Sequence, residues 1–488
     1  MGRRGWALAA LVALAAAALA GGLLGTPAAG GGGALGPPAL LLGAWQRLVT
    51  RSRPASAARI KDLAETLDAG VCHIQGKVDD LSDCTYAAVH RLNAQHVHPV
   101  VSRLVRTAFF RYFKVNIWCD CPLWPDDSMC ALRACSVCEC EEGEVPSPWL
   151  AADRAAAAAC KRAAEPDCST QDCAVELEGR VDQRVEPAMR AALISHGSGW
   201  RGINNPWMAE GEADEDFSYI NLLNNPERYT GYKGEHAHRI WSAIYNQSCF
   251  SDGVSCSEER VFYRLISGMH ASISAHLSAH YLLDEAAGTW GPHLGEFARR
   301  LGTPETRVRV ENLYFAYLFV LRAAMKAAPL LTGYAYDTGL PDEDAAARTL
   351  VTQLVANPAV WEACPMPFDE ARLWKGENAP ALKAQLQATF QNITRIMDCV
   401  GCEKCKLWGK LQTLGVATAL KILFTARDCS GEAPAGEGAL ELERNEVIAL
   451  INLLARFSTS LETYQRLTAE LQRQQGVSPS VAGAAAVV

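Results

Sequence analysis

The sequence predicts a mainly α-helical fold: a single large domain with a helical-bundle core and cysteine-rich loop segments. Three observations carry this. Apolar residues recur at helical spacing from Asn225 onward. The 488 residues are enough to bury a large core. The 18 cysteines are an even count, far too many for an ordinary cytosolic enzyme of this size, so pairing in an oxidising compartment is their expected use.

The chain opens on Met1-Gly-Arg-Arg, a positive start, followed by an almost wholly apolar, Ala-rich run from Trp6 to Leu24. Residues 1–24 read as a secretory signal peptide or an uncleaved signal anchor. No second stretch is long and apolar enough to span a bilayer, so membrane association rests on this segment. Residues 25–59, rich in Gly, Pro and Ala, read as a linker, and a compact domain is expected over 60–470. Within it, 119–140 is a cysteine-rich segment, and 146–216, rich in Ala, Gly and acidic residues, reads as a mobile, partly helical insertion. The insertion contains Gly197-Ser-Gly199-Trp-Arg-Gly202, a literal G-x-G-x-x-G. Asn204-Asn205-Pro206 follows where a helix should open, so it is a loop rather than a dinucleotide fingerprint.

Four helices follow from their stripes. Phe262, Leu265, Ile266, Met269, Ile273 and Leu277 make one apolar face, and Val310, Leu313, Tyr314, Tyr317, Leu318 and Leu321 make another. A third helix runs from Leu407 to Phe424, and a fourth carries Val447, Leu450, Leu453 and Leu454. Such helices bury their stripes most simply against one another, as a bundle. Residues 471–488 read as a disordered tail. The net charge of −8 gives no reason to expect nucleic acid. Asn246-Gln-Ser248 and Asn392-Ile-Thr394 are glycosylation sequons.

The chemistry lies in two cysteine clusters. Cys399-Val-Gly-Cys402-Glu-Lys-Cys405-Lys-Leu-Trp-Gly-Lys places three thiols at three-residue steps at the start of the third helix. The helix dipole and the nearby Lys404, Lys406 and Lys410 are expected to favour thiolate there, making Cys402 and Cys405 a fast thiol–disulfide exchanger. A structural disulfide and half of a zinc site are the alternatives for a C-x-x-C spacing. The second cluster is Cys119-Asp-Cys121-Pro-Leu-Trp, Cys130, Cys135, Cys138 and Cys140. Its spacings also suit zinc or an iron–sulfur centre, but in an oxidising compartment clustered cysteines default to disulfides. His276 and His280, one helical turn apart, could share a metal, yet no Glu stands beside the first, and no metal is expected.

Five blocks in order resemble the endoplasmic reticulum oxidoreductin family, and its plant and algal members above all. They are Cys121-Pro-Leu-Trp with Cys130 and Cys135; Asn225-Pro-Glu-Arg-Tyr-Thr-Gly-Tyr; Tyr263-Arg-Leu-Ile-Ser-Gly-Met-His-Ala-Ser-Ile; Asn312-Leu-Tyr-Phe; and Met397-Asp-Cys-Val-Gly-Cys-Glu-Lys-Cys-Lys-Leu-Trp-Gly-Lys-Leu-Gln. The resemblance spans roughly Cys72 to Phe424 and implies an FAD-dependent thiol oxidase of the endoplasmic reticulum lumen, its cofactor held in the helical core. Cys402 and Cys405 match the active-site pair, and Cys130 and Cys135 the shuttle pair on a flexible segment. Electrons would pass from reduced protein disulfide isomerase to the shuttle pair, to the active-site pair, to FAD and to molecular oxygen, yielding hydrogen peroxide.

The resemblance also implies structural bridges Cys121–Cys399 and Cys249–Cys256, with Cys72 and Cys84 the cysteines that stand where the family often carries two close bridges. Arg228, Thr230, Trp241, Ser267, His270, Arg309 and Arg322 fall at flavin-contacting positions: arginines for a pyrophosphate, an aromatic for stacking, hydroxyl and imidazole for polar edges. On one straight helix Arg309 and Arg322 would stand about 20 Å apart at 1.5 Å per residue, so either they serve different parts of an elongated dinucleotide or Arg309 precedes the helix. Cys119, Cys138, Cys140, Cys160, Cys168, Cys173, Cys364 and Cys429 stay unassigned. The competing class is a non-enzymatic cysteine-rich or zinc-binding protein of the secretory pathway, which would leave the arginine and histidine blocks without a purpose.

Overall fold

Six helices form the frame: α1 (Glu235–Ser248), α2 (Ser257–Ala279), α3 (Arg307–Lys326), α4 (Ala379–Ile396), α5 (Glu403–Phe424) and α6 (Arg444–Gln474). They belong to a computed structural model that describes residues 85–121, 123, 133–164, 205–209, 217–228, 235–248, 256–284, 286–303, 306–363, 373–424 and 440–474. All of these lie in one compact unit, 58–488.

The core is four helices, α2, α3, α5 and α6, and the stripes read from the sequence point inward. On α2 Phe262, Leu265, Ile266, Met269 and Leu277 are buried and Ile273 is half-buried; on α3 all six predicted positions are buried. The middle of α3 is buried on every side, Phe315 and Phe319 included, and α5 is enclosed almost throughout, which is the behaviour of central rather than surface helices. Close backbone approach explains two glycines. A Cβ at Gly268 would collide with the Asn312 carbonyl and the Ala316 side chain across the α2–α3 contact, and one at Gly415 would stand 2.7 Å from Leu453 Cβ across α5–α6. These pairs run antiparallel: His270 feels Arg309 while Arg264 Nε bonds Asn312 Oδ1, and Lys421 pairs with Glu446 at 2.8 Å while Trp408 lies by Arg456. Buried polar groups are matched across the core. Ser272 and Ser460 hydroxyls meet at 2.7 Å, and Asn205 Nδ2 donates to Glu446 at 2.8 Å.

Two short sheets were not foreseen. Strand β1 (Tyr112–Val115) pairs antiparallel with β2 (Ser218–Asn221), Tyr112 opposite Asn221, and β3 (Tyr281–Asp284) forms a hairpin with β4 (Thr289–Gly291). Runs of three or four residues carry too little alternation to be read. The first sheet positions the chemistry. Cys140 N–H donates to Tyr219 O at 2.9 Å and Glu139 bridges Ile220, so the end of the cysteine-rich segment is fastened beside the loop that follows β2.

The stretch expected to be a mobile insertion is anchored at both ends. Residues 147–164 are helical, with Trp149 buried among Phe109, Tyr112 and Tyr219, and Trp207 is buried near Trp374 and Phe424. The glycine-rich motif, the signal segment, the linker and Cys72, Cys84, Cys130, Thr230 and Cys249 lie outside the described residues. Helix α6 continues to Gln474, into the segment read as tail. Among the described residues no helix is long and apolar enough to cross a membrane, and no group of three His, Cys, Asp or Glu side chains could hold a metal ion.

Candidate active site

The start of α5 is held from three sides. A 3₁₀ turn over Met397–Cys399 delivers the chain to it from α4, and Cys399 is bonded to Cys121, 278 residues away in sequence. Lys410 Nζ pairs with Asp398 at 2.6 Å, and Gly409 leaves room for Met397 Sδ, which would lie 2.8 Å from a Cβ there. The Cys402 carbonyl accepts the Lys406 N–H at 2.8 Å, closing the first turn.

On this support Cys402 and Cys405 are brought together as thiols, their sulfurs 2.7 Å apart and only 1% and 8% of each residue exposed. Both face the carbonyl of Arg228, which accepts from Cys402 Sγ at 3.0 Å and from Cys405 Sγ. The thiolate expectation is overturned. Burial pushes the Cys405 thiol well above its ordinary range, and Cys402 and the Glu227 carboxylate push it further, against a backbone hydrogen bond at Arg228. Nor do the lysines serve as expected, since Lys410 is committed to Asp398 and Lys406 is buried. A thiol in an apolar enclosure stays protonated because its anion loses hydration and gains no cation.

The loop 221–228 closes the site. Asn225, fully buried, exchanges two hydrogen bonds of 2.8 Å with the backbone of Cys138, donates to Asn221 O at 3.0 Å, and accepts the Trp408 indole N–H at 2.8 Å. Glu227 is buried and ion-paired with Arg456, whose guanidinium lies 5.1 Å from the centre of the Trp408 ring. Burial and then Cys402 push the Glu227 carboxyl well up, and burial brings Arg456 down to about 9, the cost of enclosing two charged groups.

Cys135 is 2% exposed, disulfide-bonded to a cysteine outside the described residues, and carried on a 3₁₀ turn (Arg133–Cys135) that packs on α5. Just beyond it the Val137 N–H donates to Glu403 Oε2 at 2.7 Å. The segment expected to swing freely is thus docked at this end, held by Glu403 from between the two active-site cysteines and by Asn225 from the loop.

A second cluster joins α1, α2 and α3. Trp241 stacks on His270 at 3.7 Å and 16°, and the Tyr245 hydroxyl meets His270 Nδ1 at 2.9 Å. Burial, with Arg309 and Arg300, holds His270 well below its usual range, so it is a neutral imidazole. Ser267 is buried and hydrogen-bonded to Tyr245, and Arg309 acts on Tyr245 and Tyr263 as well as His270. Arg228 lies 4.7 Å over the Trp290 ring. Arg309 is the third residue of α3, so it does not precede the helix, and Arg322, thirteen residues on, is about 20 Å away towards the start of α2. The structure does not bring Arg322 to this cluster.

Two further expectations are qualified. Cys256 is a thiol donating to Glu258 at 3.3 Å, its proton held by burial, rather than half of a bridge to Cys249. Asn246 is buried, and the Asn392 amide is bonded to Gln247 Oε1 at 3.1 Å, so a glycan on either requires freeing a packed side chain. His276 is bonded to Ser460 and to the Arg456 carbonyl and held down to about 4, and serves as a core residue rather than a ligand. Sequence reasoning missed Glu227, Arg456, Asn225, Trp408, Glu403 and Tyr245. Asn225 and Glu227 stand within the Asn-Pro-Glu-Arg block that was singled out, and Glu403 and Trp408 within the cysteine motif; Arg456 and Tyr245 carry no local signal.

The family described as Endoplasmic Reticulum Oxidoreductin 1 (ERO1) matches residues 96–464. Endoplasmic reticulum oxidoreductin-1 and oxidoreductin-2 of Arabidopsis thaliana are 46% and 48% identical to the chain, over 82% of it and 81% and 80% of their own lengths. ERO1-like protein alpha of Homo sapiens is 35% identical over 82% of the chain and 92% of its own length. Among solved structures, Ero1p, titled a source of disulfide bonds for oxidative protein folding in the cell, superposes with a TM-score of 0.53 at 26% identity, covering 80% of this chain and 99% of that one. The chain belongs to the endoplasmic reticulum oxidoreductin 1 family, and is an oxidoreductase of that family.

Proposed function

We propose that this oxidoreductase is an FAD-dependent thiol oxidase of the endoplasmic reticulum lumen that makes disulfides by oxidising protein disulfide isomerase. The observation that carries the reading is the enclosed Cys402–Cys405 pair, sulfurs 2.7 Å apart, with the Cys135 segment latched against it. The isomerase dithiol attacks the Cys130–Cys135 disulfide, and the resulting shuttle dithiol reduces the Cys402–Cys405 disulfide by exchange through a mixed disulfide.

The donor set of the second cluster fits a flavin dinucleotide. Trp241 and His270 offer aromatic faces, Ser267, Tyr245 and His270 polar edges, and Arg228 and Arg309 the charge for a pyrophosphate. Thr230 and Arg322 belong to the set the family resemblance implies, and Arg322, about 20 Å from Arg309, could serve only a different part of an elongated dinucleotide. When bound, FAD supplies a two-electron acceptor that molecular oxygen reoxidises, giving hydrogen peroxide. The chain's own part is to hold Cys402 and Cys405 buried together, their sulfurs 2.7 Å apart.

The test is the absorption spectrum of the purified protein, expected to show flavin, together with oxygen consumption. Cys402→Ser or Cys405→Ser should abolish turnover with any reductant, whereas Cys130→Ser or Cys135→Ser should stop turnover with the isomerase and spare part of that with dithiothreitol. A flavin-free spectrum after expression with ample FAD, or equal losses in both classes of variant, refutes the reading.

A further inference from the structure

We propose that the Glu227 carboxylate is the proton acceptor of the Cys402–Cys405 dithiol, with Arg456 as the fixed counter-ion that keeps the charge of the enclosed site constant when the proton moves. This rests on the thiol-oxidase function above and assigns a step it leaves open.

An oxidising dithiol must lose two protons as well as two electrons, and this one is almost wholly buried. Glu227 is close enough for its charge to act on the pair: Arg228, its neighbour in sequence, offers both sulfurs its carbonyl, and Trp408, one turn beyond Cys405 on the same face of α5, lies by the guanidinium that Glu227 pairs with. The Arg228 carbonyl accepts a hydrogen bond but cannot take the proton away. Arg456 is already a cation. Among the described residues, Glu227 is the carboxylate whose charge acts on the pair while its guanidinium partner lies by Trp408; Glu403 is engaged by the Val137 N–H.

Charge is the reason the arrangement works. A lone thiolate in this enclosure is costly, as the upward shift of Cys405 records. Moving the proton from sulfur to Glu227 creates no new charge: the carboxylate–guanidinium pair becomes a thiolate–guanidinium pair, and the site holds one anion and one cation throughout. The burial that raises the proton affinity of Glu227 is what brings it towards that of a thiol. Atoms balance as follows. Two S–H bonds break and one S–S bond forms; a bound FAD would supply the acceptor for the electron pair and one proton, and the second proton forms a carboxyl O–H on Glu227, where it stays while the pair is a disulfide.

Two measurements on the full-length protein test this. Infrared difference spectra between protein poised with excess dithiothreitol and protein oxidised with diamide should contain a carboxyl C=O change that E227Q abolishes; this arm needs no flavin, so its failure is distinct from failure of the oxidase reading. In single-turnover reduction by dithiothreitol, which bypasses the shuttle, E227Q should slow electron transfer on the order of 100-fold and E227D should recover part of it. A wild-type spectrum with no carboxyl change, a change that persists in E227Q, or an E227Q rate within about twofold of wild type overturns the assignment. If E227Q does not fold, the wild-type spectrum and the E227D rate still decide it.

Discussion

Glu403→Ala isolates the latch from the chemistry. Its carboxylate accepts the Val137 N–H at 2.7 Å, two residues past Cys135, tying that amide to α5. A hydrogen bond to a charged group contributes about 1.5–3 kcal/mol, and each 1.4 kcal/mol is tenfold, so the ratio of docked to released segment should fall roughly 10- to 150-fold. The two Cys138 bonds from Asn225 remain and set a floor to the release. Removing an acid from the first turn of α5 costs the helix a further ~0.3–1 kcal/mol, too little to unfold it. The assay pairs amide hydrogen exchange at Val137 with oxygen consumption driven by reduced isomerase and by dithiothreitol. Faster exchange at Val137 is expected, with the isomerase-driven rate falling well below the dithiothreitol-driven one. Unchanged protection of Val137, or two rates falling together, would refute the latch. Glu403→Gln, which keeps a neutral acceptor, should lie between wild type and alanine.

Cys121→Ala or Cys399→Ala opens a 278-residue loop, for which chain entropy predicts a loss of about 5 kcal/mol, read as a lowered denaturant midpoint; a midpoint within error of wild type would mean the bridge is redundant. Gly268→Ala and Gly415→Ala should each destabilise by about 1–3 kcal/mol, because the facing backbone of α3 or α6 has to move; a neutral result would show that these helix pairs are looser than described. Thiol alkylation at pH 8 should label exposed Cys138 before Cys140, whose thiol burial and Glu144 push up to about 11, so that Cys140 reactivity keeps rising with pH well above 9 while little thiolate exists below it; mass mapping that finds Cys140 labelled first would reverse this order.

The helical frame was legible because a stripe of large apolar residues at a period of 3.6 leaves few other structures able to bury it, and α2, α3, α5 and α6 bury the stripes that were read. Stripes name a face and not its partner, so the antiparallel pairing of α2 with α3 and of α5 with α6 had no local sign. At the site the cysteine motifs were legible and the electrostatics were not. The position of Cys405 in the first turn and the three lysines nearby argue for thiolate, but its burial and the approach of Glu227, 178 residues earlier, argue against it and win. Glu227 and Arg456 read singly as ordinary charged residues; only the fold puts one against the other. Trp241 and His270 were named separately, and their stack requires α1 to pack beside α2, which spacing does not state.

Enclosure decides where selectivity for a protein substrate has to reside. Cys402 and Cys405, 1% and 8% exposed, offer no sulfur to a folded partner, so discrimination between dithiols cannot occur at that pair. Cys135 is buried as well, which means that the docked state serves inward transfer and not reception from outside. On the proposed function a protein dithiol must then meet the Cys135 disulfide in a released state of the segment, and the contacts of Glu403 and Asn225 set how often that state occurs. Stronger latching would speed the inner step and slow the outer one. A latch of one charge-assisted bond, about 1.5–3 kcal/mol, and two neutral ones, about 0.5–1.5 kcal/mol each, is of the size that thermal motion opens, without leaving the inner pair undocked for most of the cycle.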